Sequence, residues 1–148
     1  MANSYNQTYV HFVFSTKNRN PLIKPEFEKR LWAYIAGIGK QNGFHIITSG
    51  GMPDHAHILL ELSKTMTIAE TIQKIKGVSS KWINDKFYPN REFSWQKGYG
   101  AFSIGQSGLK NAIRYIQNQK KHHESKTFKK ELKELLNIYN IDYDEKYL

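Results

Sequence analysis

From Thr8 to Thr16, "TYVHFVFST", the side chains alternate: Val10, Phe12 and Phe14 fall on one side, Tyr9, His11 and Val13 on the other. A period of two predicts a strand with two unlike faces. "KNRNPLIKP" breaks it with Asn and Pro. From Glu26 to Gln41 the period lengthens, with Phe27, Leu31, Tyr34, Ile35 and Ile38 at helical spacing and Asn42-Gly43 as the stop. "FHIIT" (44–48) reads as a strand, Gly50-Gly51 and Pro53-Asp54 as a turn, and "HAHILLEL" (55–62) as the next strand. Thr67 and Glu70 form a capping box at the head of a second helix whose stripe is Ile68, Ile72, Ile75 and Trp82. A short strand lies within 95–105, a third helix runs from about Leu109 to His122, and a fourth carries Phe128, Leu132, Leu135, Leu136 and Tyr139. With no internal repeat or low-complexity linker, residues 1–148 are expected to form a single domain. The order is βαββαβ, which predicts an α+β, ferredoxin-like antiparallel sheet with helices on one face and extra C-terminal helices. The other face is expected to stay open for a ligand.

The third predicted strand begins with two histidines. Side chains alternate along a strand, so Ala56, Ile58, Leu60 and Leu62 belong beneath the helices, while His55, His57, Leu59 and Glu61 share the expected open face. Two neutral imidazoles presented together suit a divalent metal. Two solvated strand histidines are the plain alternative, and two ligands do not hold a metal. His11 and His45 could supply a third, but neither has a spacing that singles it out.

The third helix offers another candidate. Leu109, Ala112, Ile113 and Ile116 define its apolar stripe; Tyr115 and Gln119 lie one turn apart on the flank, with His122 beyond. A half-buried tyrosine beside a solvated glutamine is the ordinary reading of such a flank. The chemical reading is a phenol nucleophile beside an amide carbonyl able to ligate a metal. A phosphotyrosine link conserves the energy of a broken phosphodiester, so the strand can later be rejoined. The phenol's ordinary pKa of about 10 means that it needs help at neutral pH. A cation held by two imidazoles and an amide, with positions left for phosphate oxygens, could supply that help, and Mg²⁺ or Mn²⁺ suits the ligand set.

Composition narrows the partner. Twenty-two Lys and Arg stand against thirteen Asp and Glu, a net charge of +9, which favours a polyanion such as nucleic acid. The excess gathers at Lys110, Arg114, Lys120, Lys121, Lys126, Lys129, Lys130 and Lys133, opposed there only by Glu124 and Glu131, before the acidic "IDYDEKYL". There is no cysteine, hence no disulfide, thiol nucleophile or cysteine-rich zinc site. The polar "MANSYNQ" and the lack of any membrane-length apolar run point to a soluble, cytoplasmic protein.

"HFVFSTKNR", "GMPDHAHILLEL", "KGVSSKWIN", "WQKGYGAFS" and "YIQNQKKHH" together resemble the single-tyrosine HUH transposases of insertion sequences, the TnpA-type of the 200/605 group, in the same order and from about Tyr9 to Tyr147. The resemblance implies that His55 and His57 are metal ligands flanking the small Ala56, that Gln119 is the third ligand, and that Tyr115 forms a 5′-phosphotyrosine. It implies action on single-stranded DNA at hairpin ends of a mobile element, by an obligate homodimer in which the tyrosine helix can complete the partner's histidine pair. Gly105 and Gly108 would hinge that helix. Lys17 and Arg19, with Lys110, Arg114, Lys120 and Lys121, are the expected DNA contacts; His122, His123 and Glu61 stay unassigned between DNA contact, tuning of the site and no role. Two other readings fit the same residues: a REP-associated tyrosine transposase or nickase with a housekeeping role, and a nucleic-acid-binding module without catalysis.

Overall fold

The computed structural model describes residues 3–148. Four strands, β1 (Tyr9–Ser15), β2 (His45–Met52), β3 (His55–Glu61) and β4 (Gly100–Ile104), form one antiparallel sheet in the order β2-β3-β1-β4. This is the ferredoxin-like order expected from the βαββαβ pattern. Helices α1 (Pro25–Asn42) and α2 (Ile68–Phe87) cover one face. Val10, Phe12 and Phe14 of β1 and Ala56, Ile58 and Leu60 of β3 meet Phe27, Leu31 and Ile35 of α1 and Ile72, Ile75 and Ile83 of α2 there, all buried.

Local chemistry sets the helix ends. Pro25 opens α1 with its φ already helical, and Gly43 closes it in the left-handed region at φ 82°. Thr67 and Glu70 make the expected capping box on α2, a device that contributes about 1 kcal/mol. Ile68, expected in the stripe, is 39% exposed, because the first turn of α2 overhangs the core. Among the described residues no helix is long and apolar enough to cross a membrane.

Two expectations change. The glycine pair is not a turn: β2 runs straight through Gly50 and Gly51 to Met52, and the reversal falls on Pro53-Asp54 alone. Backbone proximity explains the glycines. A Cβ on Gly50 would lie 2.5 Å from the carbonyl oxygen of Ile116, and one on Gly51 2.2 Å from that of His55.

The second face of the sheet is not open either. It is covered by α3 (Leu109–Gln117), α4 (Gln119–His122) and α5 (Phe128–Ile138). The expected third helix is thus two segments, interrupted at Asn118 (φ −101°, ψ 22°). The helices therefore lie on both faces rather than one. Tyr9, Val13 and Leu59, which point to this second face, are buried like any core residue.

Candidate metal centre and tyrosine site

His55 and His57 open β3 facing α3–α5, and neither has any solvent exposure. Gly50, paired with His57 in the ladder, lets the backbone of α3 settle on the strand at Ile116. One turn later Gln119 descends beside His55, and the His55 Nε2–H donates to its Oε1 at 3.0 Å. Gln119 is itself 1% exposed, so the solvated alternative for it does not hold.

Glu131 of α5 joins them from above. His57 Nε2–H donates to its Oε1 at 3.0 Å, and His123 Nε2–H to the same oxygen at 3.1 Å. His55 Nε2 lies 3.4 Å from it. The other oxygen accepts from the Gln119 amide at 2.9 Å and from the Tyr115 hydroxyl. Tyr115 and Gln119 thus meet at one carboxylate, with the two strand histidines on its far side.

A second ring of contacts holds the imidazoles. Asp54 Oδ1 accepts from His55 Nδ1–H at 2.7 Å. His11, buried on β1, places its Nε2 2.8 Å from His57 Nδ1. Phe128 stacks on His55 with ring centroids 4.6 Å apart. His122 leans on the Tyr115 ring at 4.7 Å.

The electrostatics follow from burial against partners. Burial opposes charge on His55, but its bonds to Asp54, Glu131 and Gln119 outweigh that and raise it to about 9. Burial dominates for His57, lowering it to about 4, and for His11, lowering it to about 3. Glu131 is held far below the usual carboxylate range: burial would raise it, yet the histidines and Tyr115 around it prevail. Burial, reinforced by Glu131, pushes the Tyr115 phenol well above its ordinary value. The cluster therefore stores a carboxylate and a neutral phenol rather than a phenolate.

The donor set fits a cation. His55, His57 and Glu131 each offer one ligand atom, and these atoms lie within 4.8 Å of one another. Atoms ligating an ion at about 2.1 Å stand roughly 3.0–3.4 Å apart in octahedral or tetrahedral arrangements. The 3.0 and 3.4 Å separations of Glu131 Oε1 from the two histidine nitrogens match that spacing, as does the 3.0 Å between His55 Nε2 and Gln119 Oε1. Two imidazoles with carboxylate and amide oxygens make a donor set for a divalent metal ion.

Other sequence candidates lie elsewhere. His45 and Glu61 pair across β2 and β3 at the opposite end of the ladder from His55. Lys17 is exposed on a short 3₁₀ turn, and Arg19 on the same turn lies over the Phe128 ring, 5.4 Å from its centroid. Lys110, Arg114 and Lys121 are exposed along α3 and α4. Lys120 instead binds both oxygens of Glu28 at 2.8 and 2.9 Å and the Gly51 carbonyl at 3.1 Å, tying α4 to α1.

Glu131 and the supporting roles of Asp54 and His11 were not read from the sequence. A signal for Glu131 was present: it is the acidic residue within the stripe that Phe128, Leu132 and Leu135 define on α5.

A family profile described as "Transposase IS200 like" matches residues 4–119. Over 120 residues the chain is 24% identical to the ISDra2 transposase TnpA of Deinococcus radiodurans, covering 76% of this chain and 84% of that protein. It is 28% identical over 118 residues to the transposase for insertion sequence element IS200 of Salmonella typhimurium, covering 76% and 74%. Among solved structures, a transposase from Deinococcus radiodurans R1 superposes with a TM-score of 0.64 at 22% identity, over 80% of this chain and 95% of that one. A REP-associated tyrosine transposase bound to a REP hairpin superposes with a TM-score of 0.58 at 16% identity, over 80% and 70%. These superpositions bear on the fold, which they share: a four-stranded antiparallel sheet followed by C-terminal helices. The profile spans most of the chain, and the chain therefore belongs to the IS200-like transposase family.

Proposed function

We propose that the protein cuts and rejoins single-stranded DNA at the hairpin ends of an insertion sequence, with Tyr115 as nucleophile. His55, His57 and Glu131 hold a divalent cation, Mg²⁺ or Mn²⁺, with Gln119 beside them as a further ligand. The observation that supports this best is the convergence of Tyr115, Gln119 and both strand histidines on Glu131.

In cleavage the Tyr115 oxygen attacks the scissile phosphorus and the P–O3′ bond breaks. The phenol's proton passes to water, and the departing 3′ oxygen takes one from water, so the exchange balances. The resulting 5′-phosphotyrosine keeps the phosphoester's energy, so a 3′-hydroxyl from another end attacks it, forms the new P–O bond and releases Tyr115. The bound cation supplies polarisation of the phosphate and offsets charge during the displacement. Tyr115 also lines a largely apolar cavity of about 400 Å³ with His11, Ile104, Leu135, Ile138 and Tyr139. Exposed Lys17, Lys110, Arg114 and Lys121, with Arg19, hold the DNA backbone; Lys120 joins them only by leaving Glu28. The protein works as a homodimer in the cytoplasm.

A REP-associated nickase with a housekeeping role is the second reading, supported by the shared fold of the hairpin-bound relative. Both readings use the same chemistry of nicking and joining and differ in assembly, a homodimer for the insertion-sequence transposase and a monomer for the housekeeping enzyme.

The test is cleavage of labelled oligonucleotides spanning the flanks of the coding sequence, with Mg²⁺ or Mn²⁺ and with chelator. Metal-dependent cleavage abolished by His57→Ala is expected, followed by joined product. A monomeric sedimentation mass with the same cleavage and joining favours the housekeeping reading. Salt-sensitive binding with no cleavage under any metal would leave only a binding module.

A further inference from the structure

We infer that Asp54 and His11 are positioning residues that hold the Nδ1 atoms of His55 and His57 and so aim both Nε2 atoms at the metal. Asp54 does so by keeping the proton on His55 Nδ1, and His11 by accepting one from His57 Nδ1 when the cation binds. The inference rests on the metal centre proposed above and goes beyond it by assigning two residues outside the ligand set.

The argument is one of hydrogen-bond parity. An imidazole that ligates through Nε2 must keep its proton on Nδ1. For His55 the partner is Asp54 Oδ1 at 2.7 Å, and a carboxylate only accepts, so the Nδ1 proton stays. Asp54 is firmly placed for this. Its carbonyl accepts from Thr16 N at 2.9 Å, while the Pro53 carbonyl accepts from Ile23 N at 2.9 Å. The turn that carries Asp54 is thus tied to the end of β1 and to the chain leading into α1.

For His57 the partner is another imidazole, 2.8 Å away. Val13 is the direct ladder partner of His57, and His11 lies two residues along β1 on the same face, within diagonal reach. Unlike a carboxylate, His11 can play either part. When His57 donates Nε2–H to Glu131, at 3.0 Å, its neutral ring must accept from His11 Nε2–H. When a cation takes the His57 Nε2 lone pair, the proton moves to Nδ1 and His11 must accept. The buried pair thus keeps its hydrogen bond in both states by reversing direction. Leu, Phe or Lys at residue 11 could not do this.

The test is Mn²⁺ affinity by calorimetry on the full chain, with metal-free melting temperature measured alongside. His11→Gln keeps an amide that can donate or accept near the place of Nε2; His11→Phe has neither capacity. The expected result is near-wild-type affinity for His11→Gln and a loss of roughly 10–100-fold for His11→Phe and for Asp54→Ala. A purely structural role would lower the melting temperature and leave the affinity of the folded fraction unchanged, and that result overturns the inference. His55→Ala and His57→Ala separate the two levels. If wild type binds and these do not, the metal centre stands and the His11 and Asp54 variants decide. If wild type binds no Mn²⁺, the metal reading fails and the inference falls with it. Long-range ¹H–¹⁵N spectra of wild type give a readout independent of variant folding: Mg²⁺ should leave both ligating histidines protonated on Nδ1. A metal-bound His57 protonated on Nε2 contradicts the assignment.

Discussion

At Glu131 one carboxylate accepts from Tyr115, Gln119, His57 and His123 while 1% exposed, so its removal leaves a protonated His55 without its second anionic neighbour. Breaking a buried charged contact by deleting one partner costs about 3–5 kcal/mol. Glu131→Ala is therefore expected to lower the metal-free melting temperature by roughly 6–20 °C at about 2–4 °C per kcal/mol, read by calorimetry. An unchanged melting temperature contradicts the charge pairing. His55 also sets a pH dependence. Raised to about 9 in the metal-free protein, it holds a proton at pH 7 that a cation must displace. Mn²⁺ binding is expected to release a proton at pH 7 and to tighten as pH rises towards 9, then level off; calorimetry in buffers of different ionisation enthalpy measures this. Strand alternation put His55 and His57 on one face and helical spacing put Tyr115 and Gln119 on one flank, but only the resemblance tied the two pairs to one site. Glu131 was not legible, because an acidic residue within the stripe of Phe128, Leu132 and Leu135 carries no local sign that its carboxylate finds imidazoles across the fold.

The helices α3 and α4 reach the sheet because β2 is bare where they cross it. Gly50→Ala would press a methyl against the Ile116 carbonyl at 2.5 Å, lifting α3 and with it Gln119 and Tyr115. Overpacking of this kind costs about 1–3 kcal/mol. Gly77→Ala is the matched control: it lies mid-helix in α2 with nothing within 4 Å of the added carbon, and it should stabilise by about 0.5–1 kcal/mol. Denaturant melts of the two variants should move in opposite directions, and only Gly50→Ala should weaken metal binding. The strands, α1, α2 and their caps followed from periodicity because their signals are local. The second helical layer did not: a strand face of His55, His57, Leu59 and Glu61 looks half-polar, and only the partners supplied by α3–α5 make its burial tolerable. The glycine pair misled for a related reason, since close approach by a distant backbone demands glycine as strongly as a turn does.

Over the whole molecule the net charge of +9 sets a field that any single-stranded partner will feel. Each phosphate contact should add about −0.7 to the slope of log affinity against log salt. Lys110→Ala and Lys121→Ala, which remove exposed cations, should each make that slope shallower by about that amount. Lys120→Ala should change it less, because its ammonium is engaged with Glu28. Equal effects for all three would mean that the Lys120–Glu28 pair opens on DNA. The measurement that bears most directly on the central claim is a denaturing gel with mass spectrometry of any protein–DNA adduct. Wild type and Tyr115→Phe would be incubated with single-stranded ends of the element, with Mn²⁺ and with chelator. A metal-dependent adduct mapping to the peptide with Tyr115, and absent from Tyr115→Phe, is the expected result. An adduct on another residue, or cleavage that survives Tyr115→Phe, would contradict the assignment of the nucleophile.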